Sequence, residues 1–278
     1  MTPATPAYAH AWPSDRWTPD SIPGQSGRLV VVTGANSGIG YVTARELARR
    51  GAHVVLACRS QERGREALER LRAEAPGARA ELRLVDLADL TSVRRLPHLL
   101  ASPDPRVVTV SSEGQRFARF DMGNLDAERG YRPLFTYIQS KRANLYFATE
   151  LQRRADAAGL RLRSMAVAPG LTRSNVLTGG ANSTRGRAYG ALMRLLLRSA
   201  FRPTPEGAKT SLYAATVPDL PGGSYVVPDG PFQLRGEPVL RSRERAVQDA
   251  DTAHRLWALS ERLTGVLHPV PAQAPSRD

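Results

Sequence analysis

Cysteine is almost absent from this 278-residue chain: Cys58 stands alone, which excludes an internal disulfide framework and a cysteine-rich zinc site. The five histidines, His10, His53, His98, His254 and His268, have no spacing suited to metal ligation, so no metal is expected. Aromatic residues make up only 6%, and no apolar run approaches the roughly 18–20 residues that a membrane span needs. The first 27 residues carry Pro, Ser, Asp and Trp without an apolar core, which argues against a secretory signal and for a cytoplasmic protein. A Gly-x-Ser-x-Gly elbow is missing, which argues against an α/β-hydrolase. Lysine is nearly missing too: Lys141 and Lys209 stand among 39 basic residues, the rest arginine. The net charge of +13 invites a nucleic-acid partner, but such binding needs charge gathered on one face or in a tail. Here the arginines run from end to end at positions a solvated helix face would occupy, so no nucleic acid is expected.

What is present fills a core: 41% of the residues are hydrophobic, and the 23 glycines and 21 prolines show no period. Residues 1–27 read as an N-terminal extension, with Trp12, Trp17 and Pro23 lying against the body, and 28–278 as one domain. Leu29–Thr33 is a continuous apolar run, the mark of a strand buried on both faces. A glycine-rich turn and a helix over 39–50 follow. Then come a second such strand, His53–Cys58, a charged helix over 61–75 stopped by Pro76-Gly77, and a third strand over 81–85. Further on, the pattern predicts strands over 106–111, 162–168 and 225–227. It predicts helices over 136–157, 188–201, 204–215 and 251–263. Alternating strands and helices imply an α/β protein with a doubly wound parallel sheet.

Two groups of residues carry chemistry. Thr33-Gly34-Ala35-Asn36-Ser37-Gly38-Ile39-Gly40 lies between a buried strand and a helix. Glycines there let backbone approach a pyrophosphate, and the helix N-terminus offers unpaired N–H groups to it. An ordinary tight turn is the plainer alternative, but the spacing and context favour a dinucleotide and a Rossmann-like fold. The second strand ends Ala57-Cys58-Arg59-Ser60. An acid there would accept from the ribose hydroxyl of NAD, whereas an arginine grips a 2′-phosphate, so NADP(H) is preferred over NAD(H). Arg59 as a merely solvated strand end stays open. Tyr137 and Lys141, four apart on a helix, share a face, and a nearby ammonium favours the phenolate and suits general acid–base work.

With TGANSGIG at 33–40, ACRS at 57–60, Asp86-Leu87, VVTVSS at 107–112, YIQSK at 137–141 and APG at 168–170, the chain resembles the short-chain dehydrogenases/reductases. It is most similar to their retinol-dehydrogenase, protochlorophyllide-reductase and WW-domain-oxidoreductase branch. The resemblance implies Tyr137 as general acid–base, Ser112 holding the substrate oxygen, and Lys141 on the nicotinamide ribose. It places Gly34, Asn36, Ser37, Gly38, Ile39, Gly40 and Arg59 on the nucleotide, Asp86 and Leu87 at the adenine, and Pro169, Gly170, Thr172 and Ser174 beside the nicotinamide. It makes 171–203 a substrate lid and a small alcohol or carbonyl the partner.

The family's Asn-Asn-Ala-Gly run and its catalytic asparagine have no counterpart here, since no asparagine lies between Asp86 and Ser112. The chain is read as joined near Arg95–Leu96 with the family's fourth strand left out. Because unpaired buried backbone is costly, direct pairing of strand 106–111 with strand 29–33 is expected, together with impaired activity. A catalytically inactive nucleotide-binding remnant is the alternative.

Overall fold

The computed structural model describes residues 17–87, 102, 104–117, 120–125, 128–172, 202–241 and 249–265. The first half forms strand β1 (Leu29–Thr33), helix α1 (Gly38–Arg49), β2 (His53–Cys58), α2 (Gln61–Glu74) and β3 (Ala80–Leu84). These make a three-stranded parallel sheet in the order β1-β2-β3, with Thr33 opposite Ala57 and Cys58 opposite Leu84. β2, rich in valine, is buried along nearly its whole length, as a central parallel strand should be. Ser60 starts α2 by accepting a bond from the Arg63 amide (3.4 Å), and Pro76-Gly77 follows its end.

The second half holds β4 (Arg106–Val110), α3 (Pro133–Ala157), β5 (Arg163–Val167), α4 (Thr204–Thr216), β6 (Tyr225–Pro228), β7 (Pro238–Arg241) and α5 (Ala250–Thr264). Its sheet runs β4-β5-β6-β7, parallel except for the antiparallel β7. β7 escapes a reading by pattern because it is four residues long and begins with proline, a residue tolerated at a sheet edge. The helix expected over 188–201 lies outside the described residues.

One core cluster spans both sheets. Leu47 of α1, Leu56 of β2, Met165 and Val167 of β5, Leu212 of α4 and Val226 of β6 join Trp17 and Ile22 from the N-terminal segment. Trp17 stands edge-on to Tyr213 with ring centroids 5.6 Å apart. Pro23 is exposed, and Trp12 lies outside the described residues. On the opposite face of the second sheet, α3 and α5 supply Leu145, Tyr146, Ala253 and Leu256 against Ala166, Tyr225 and Val227.

The two sheets do not join through β1 and β4, so the expected direct pairing of these strands is incorrect. α1 packs on β1 and β2, α4 packs on β4, β5 and β6, and the two helices pack on each other. The halves are thus joined by helix packing and a shared core rather than by a ladder between β1 and β4. β1 is also not the strand buried on both faces that its apolar run suggests: Leu29 and Val31 are 53% and 41% exposed, so one face meets solvent while Val30 and Val32 pack on the core. The proposed join near Arg95–Leu96 lies outside the described residues.

An ion cluster does span the junction. Asp104 accepts from Arg28, just before β1 (2.8 Å), from Arg106 at the start of β4 (2.9 Å), and from Arg163 at the start of β5. Arg106 also donates to the Val217 carbonyl (2.7 Å) and the Ala214 carbonyl (3.2 Å) at the end of α4. The three strands therefore begin together at one end of the molecule, and β4 and β5 run parallel from there; ligands bind at the C-terminal ends of strands in such sheets.

Candidate active site

At the C-terminal end of the first sheet, the chain turns from β1 into α1 through Gly34–Gly40. Gly34 (φ 65°) and Gly38 (φ 59°) take left-handed conformations that side chains resist. A Cβ on Gly40 would stand 2.6 Å from the Gly34 carbonyl oxygen. This is a backbone cradle that only glycine permits. Ser37 precedes α1 in extended conformation and makes no side-chain cap, which leaves the first-turn N–H groups of the helix without that partner. Asn36 and Ile39 are half-buried beside it. Burial pushes the Cys58 thiol pKa up, against hydrogen bonds from the Ala35 and Asn36 backbone, so this cysteine packs under the turn as a neutral group. The register sets Arg59, Asp86 and Leu87 level with the turn. Arg59 is exposed and makes no ion pair or hydrogen bond among the described residues, a guanidinium available to an anion. The turn thus fits a dinucleotide.

The second group sits at the C-terminal ends of β4 and β5. Ser111 donates to the Lys141 carbonyl (2.7 Å), and its amide donates to the Val167 carbonyl (2.7 Å). Ser112 follows, its hydroxyl oxygen accepting from the Gly114 amide (3.3 Å). Tyr137 and Lys141 face this strand end from one side of α3. The Lys141 ammonium lies 5.7 Å from the Tyr137 ring centre, and burial lowers its pKa. It donates to the Val110 carbonyl (3.4 Å), and Asn144, one turn on, donates to the same oxygen (2.9 Å). The Tyr137 hydroxyl makes no hydrogen bond among the described residues. Ser112, Tyr137 and Lys141 are gathered at one strand end but not bonded to one another.

Pro169-Gly170 follows β5. Gly170 (φ 71°) lies so close to the 230–236 loop that a Cβ there would stand 2.6 Å from the Leu234 carbonyl oxygen. The Leu171 amide donates to that oxygen (2.8 Å), and Thr172 is buried beside Gly207 of α4. Ser174 and most of the expected lid lie outside the described residues. Asn144 was not singled out from the sequence, although its position seven residues after Tyr137 puts it on the same helix face. Among the described residues no cluster suited to a metal occurs, and no helix is long and apolar enough to cross a membrane.

A sequence model of the short chain dehydrogenases matches residues 28–101. Polyprenol dehydrogenase of Mus musculus is 32% identical over 305 residues, covering 89% of this chain and 87% of its own. The chain belongs to the short-chain dehydrogenase family. Retinol dehydrogenase 12 of Mus musculus is 30% identical, covering 86% and 87% of the two chains, which puts the protein in the branch of this family that includes retinol dehydrogenases. Among solved structures, an uncharacterized protein of Mycobacterium paratuberculosis matches with a TM-score of 0.71 and 36% identity, over 91% of this chain and 99% of that one. As a short-chain dehydrogenase, the protein has the Rossmann-like α/β fold of its relatives and belongs to oxidoreductases of alcohol and carbonyl carbons that use nicotinamide dinucleotides.

Proposed function

We propose that this short-chain dehydrogenase interconverts an alcohol and a carbonyl on a lipophilic small molecule, with NADP(H) in preference to NAD(H). The observation that carries the cofactor choice is Arg59, exposed and unengaged at the end of β2 with no acid beside it. Gly34–Gly40 and the α1 N-terminus would hold the pyrophosphate, Asp86 and Leu87 would meet the adenine, and Pro169, Gly170, Thr172 and Ser174 would line the nicotinamide side. The nicotinamide supplies the hydride chemistry when bound. Tyr137 would pass the proton to or from the substrate oxygen, Ser112 would donate a hydrogen bond to that oxygen, and Lys141 would hold the ribose. The names of the polyprenol and retinol dehydrogenases support a lipophilic alcohol as substrate class. Fluorescence titration of the protein with NADPH and NADH tests the reading: tighter NADPH binding is expected, and equal affinities overturn the preference.

A second reading, a nucleotide-binding relative with little or no turnover, is supported by two observations. The alignment with polyprenol dehydrogenase, 305 residues long, exceeds the 278 residues of this chain, as a segment absent here would require. The β1 and β4 edges are also unpaired with each other. NADPH binding without reduction of any reactive test carbonyl would favour this second reading.

A further inference from the structure

The carbonyl of Val110 is the last of β4. Because the Ser111 amide bonds to Val167 of β5, strand alternation turns the Val110 carbonyl away from β5, to the edge where β1 does not pair. Two side chains of α3 take it up. Asn144 donates at an ordinary 2.9 Å, and Lys141 at a stretched 3.4 Å. A carbonyl oxygen has two lone pairs and can accept both. The bonds are unequal in another respect, since the Asn144 amide has no second task in the proposed chemistry whereas Lys141 does.

We infer that Asn144 is a positioning residue that keeps the Val110 carbonyl satisfied, so that Lys141 can leave it for the ribose of a bound dinucleotide. This rests on the proposed function for the second half of the claim, and on the geometry alone for the first. Ser111 completes the arrangement by fixing the Lys141 carbonyl to the strand end, so the helix turn stays in place while the ammonium moves. Without Asn144, Lys141 would be the sole side-chain partner of a part-buried acceptor. Its departure would then strand that acceptor, while its charged form would be held more firmly at rest.

The composition makes the test direct, because Lys141 and Lys209 are the chain's two lysines. Lys209 pairs with Glu237 (2.9 Å) and Glu206 (3.2 Å) on the far side of the second sheet from α3, and serves as internal reference. Trace acetylation of cofactor-free protein, read by mass spectrometry as the Lys141-to-Lys209 ratio, reports how firmly the Lys141 ammonium is held. In Asn144→Leu the ratio should fall about threefold, and NADPH should bind about tenfold more weakly by fluorescence titration. Asn144→Gln, which keeps an amide donor, should restore both. A merely structural asparagine would give the opposite sign, since a loosened helix exposes Lys141 and speeds its acetylation. A parental or raised ratio in Asn144→Leu overturns the inference, as does a lowered ratio with unchanged NADPH affinity. Should the parent protein take up no dinucleotide, the proposed function falls while the acetylation ratio still decides whether Asn144 relieves Lys141 at Val110.

Discussion

A guanidinium at the end of β2 and a phenol on α3 are the two side chains whose loss should separate binding from chemistry. Arg59 makes no hydrogen bond or ion pair among the described residues, so Arg59→Ala should remove the proposed 2′-phosphate contact without disturbing the fold. A lost charged hydrogen bond should narrow the NADPH-over-NADH preference by about 1.5–3 kcal/mol, measured from paired titrations. Tyr137→Phe keeps the ring and deletes the hydroxyl. NADPH affinity should persist while turnover of a reactive carbonyl falls by at least about a hundredfold. Unchanged turnover would mean that the proton comes from another group.

Between residue and molecule stands the strand–turn–helix unit, where conformation rather than side-chain chemistry makes the site. The Gly34–Gly40 turn brings backbone atoms together, and the closest approach is that of Gly40 to the Gly34 carbonyl. Gly40→Ala puts a methyl 2.6 Å from that oxygen, so the turn must open. The expected outcome is loss of NADPH binding by at least about tenfold with a stability cost of about 1–3 kcal/mol, read by titration and urea unfolding. Binding at the parental level would show that the dinucleotide does not rest on this cradle. The elements themselves were mostly legible in the sequence. Apolar runs such as Leu29–Thr33 and His53–Cys58 are strands, and the Tyr137 helix is found, though its proline start moves the boundary to Pro133.

For the whole molecule, the contact that holds the two sheets in one frame at their common end is Asp104 with its three arginines. Burial pushes the Asp104 pKa up, but hydrogen bonds from Arg163 and Arg106 outweigh it and hold the carboxyl well below the usual carboxylate range. A carboxyl with a depressed folded-state pKa binds fewer protons folded than unfolded. Its contribution is therefore complete above the unfolded value near pH 4 and is lost progressively as the pH falls toward the folded value. Asp104→Asn leaves the Arg28, Arg106 and Arg163 guanidiniums without their shared anion. It should destabilise by about 2–4 kcal/mol at neutral pH, an amount reduced by the partial exposure of the cluster. Urea unfolding at pH 7 and pH 3 checks both halves: the variant should lose less stability on acidification than the parent. An equal acid loss in both proteins would place the acid-sensitive group elsewhere.

The sequence by itself determined the order of strands and helices, the glycine cradle, Arg59 at the second strand end, and the Tyr137–Lys141 spacing. Each of these is local, set by side-chain period or backbone freedom within a dozen residues. Three things were decided only by the tertiary structure. Helices α1 and α4 pack on each other across a core shared by both sheets, so side-chain burial rather than a strand ladder joins the halves. Asp104 draws together arginines from positions 28, 106 and 163, a convergence that no local pattern announces. Asn144 is paired with the Val110 carbonyl because strand alternation turns that oxygen to an edge where β1 offers no hydrogen bond, a contact between residues 34 apart in the chain.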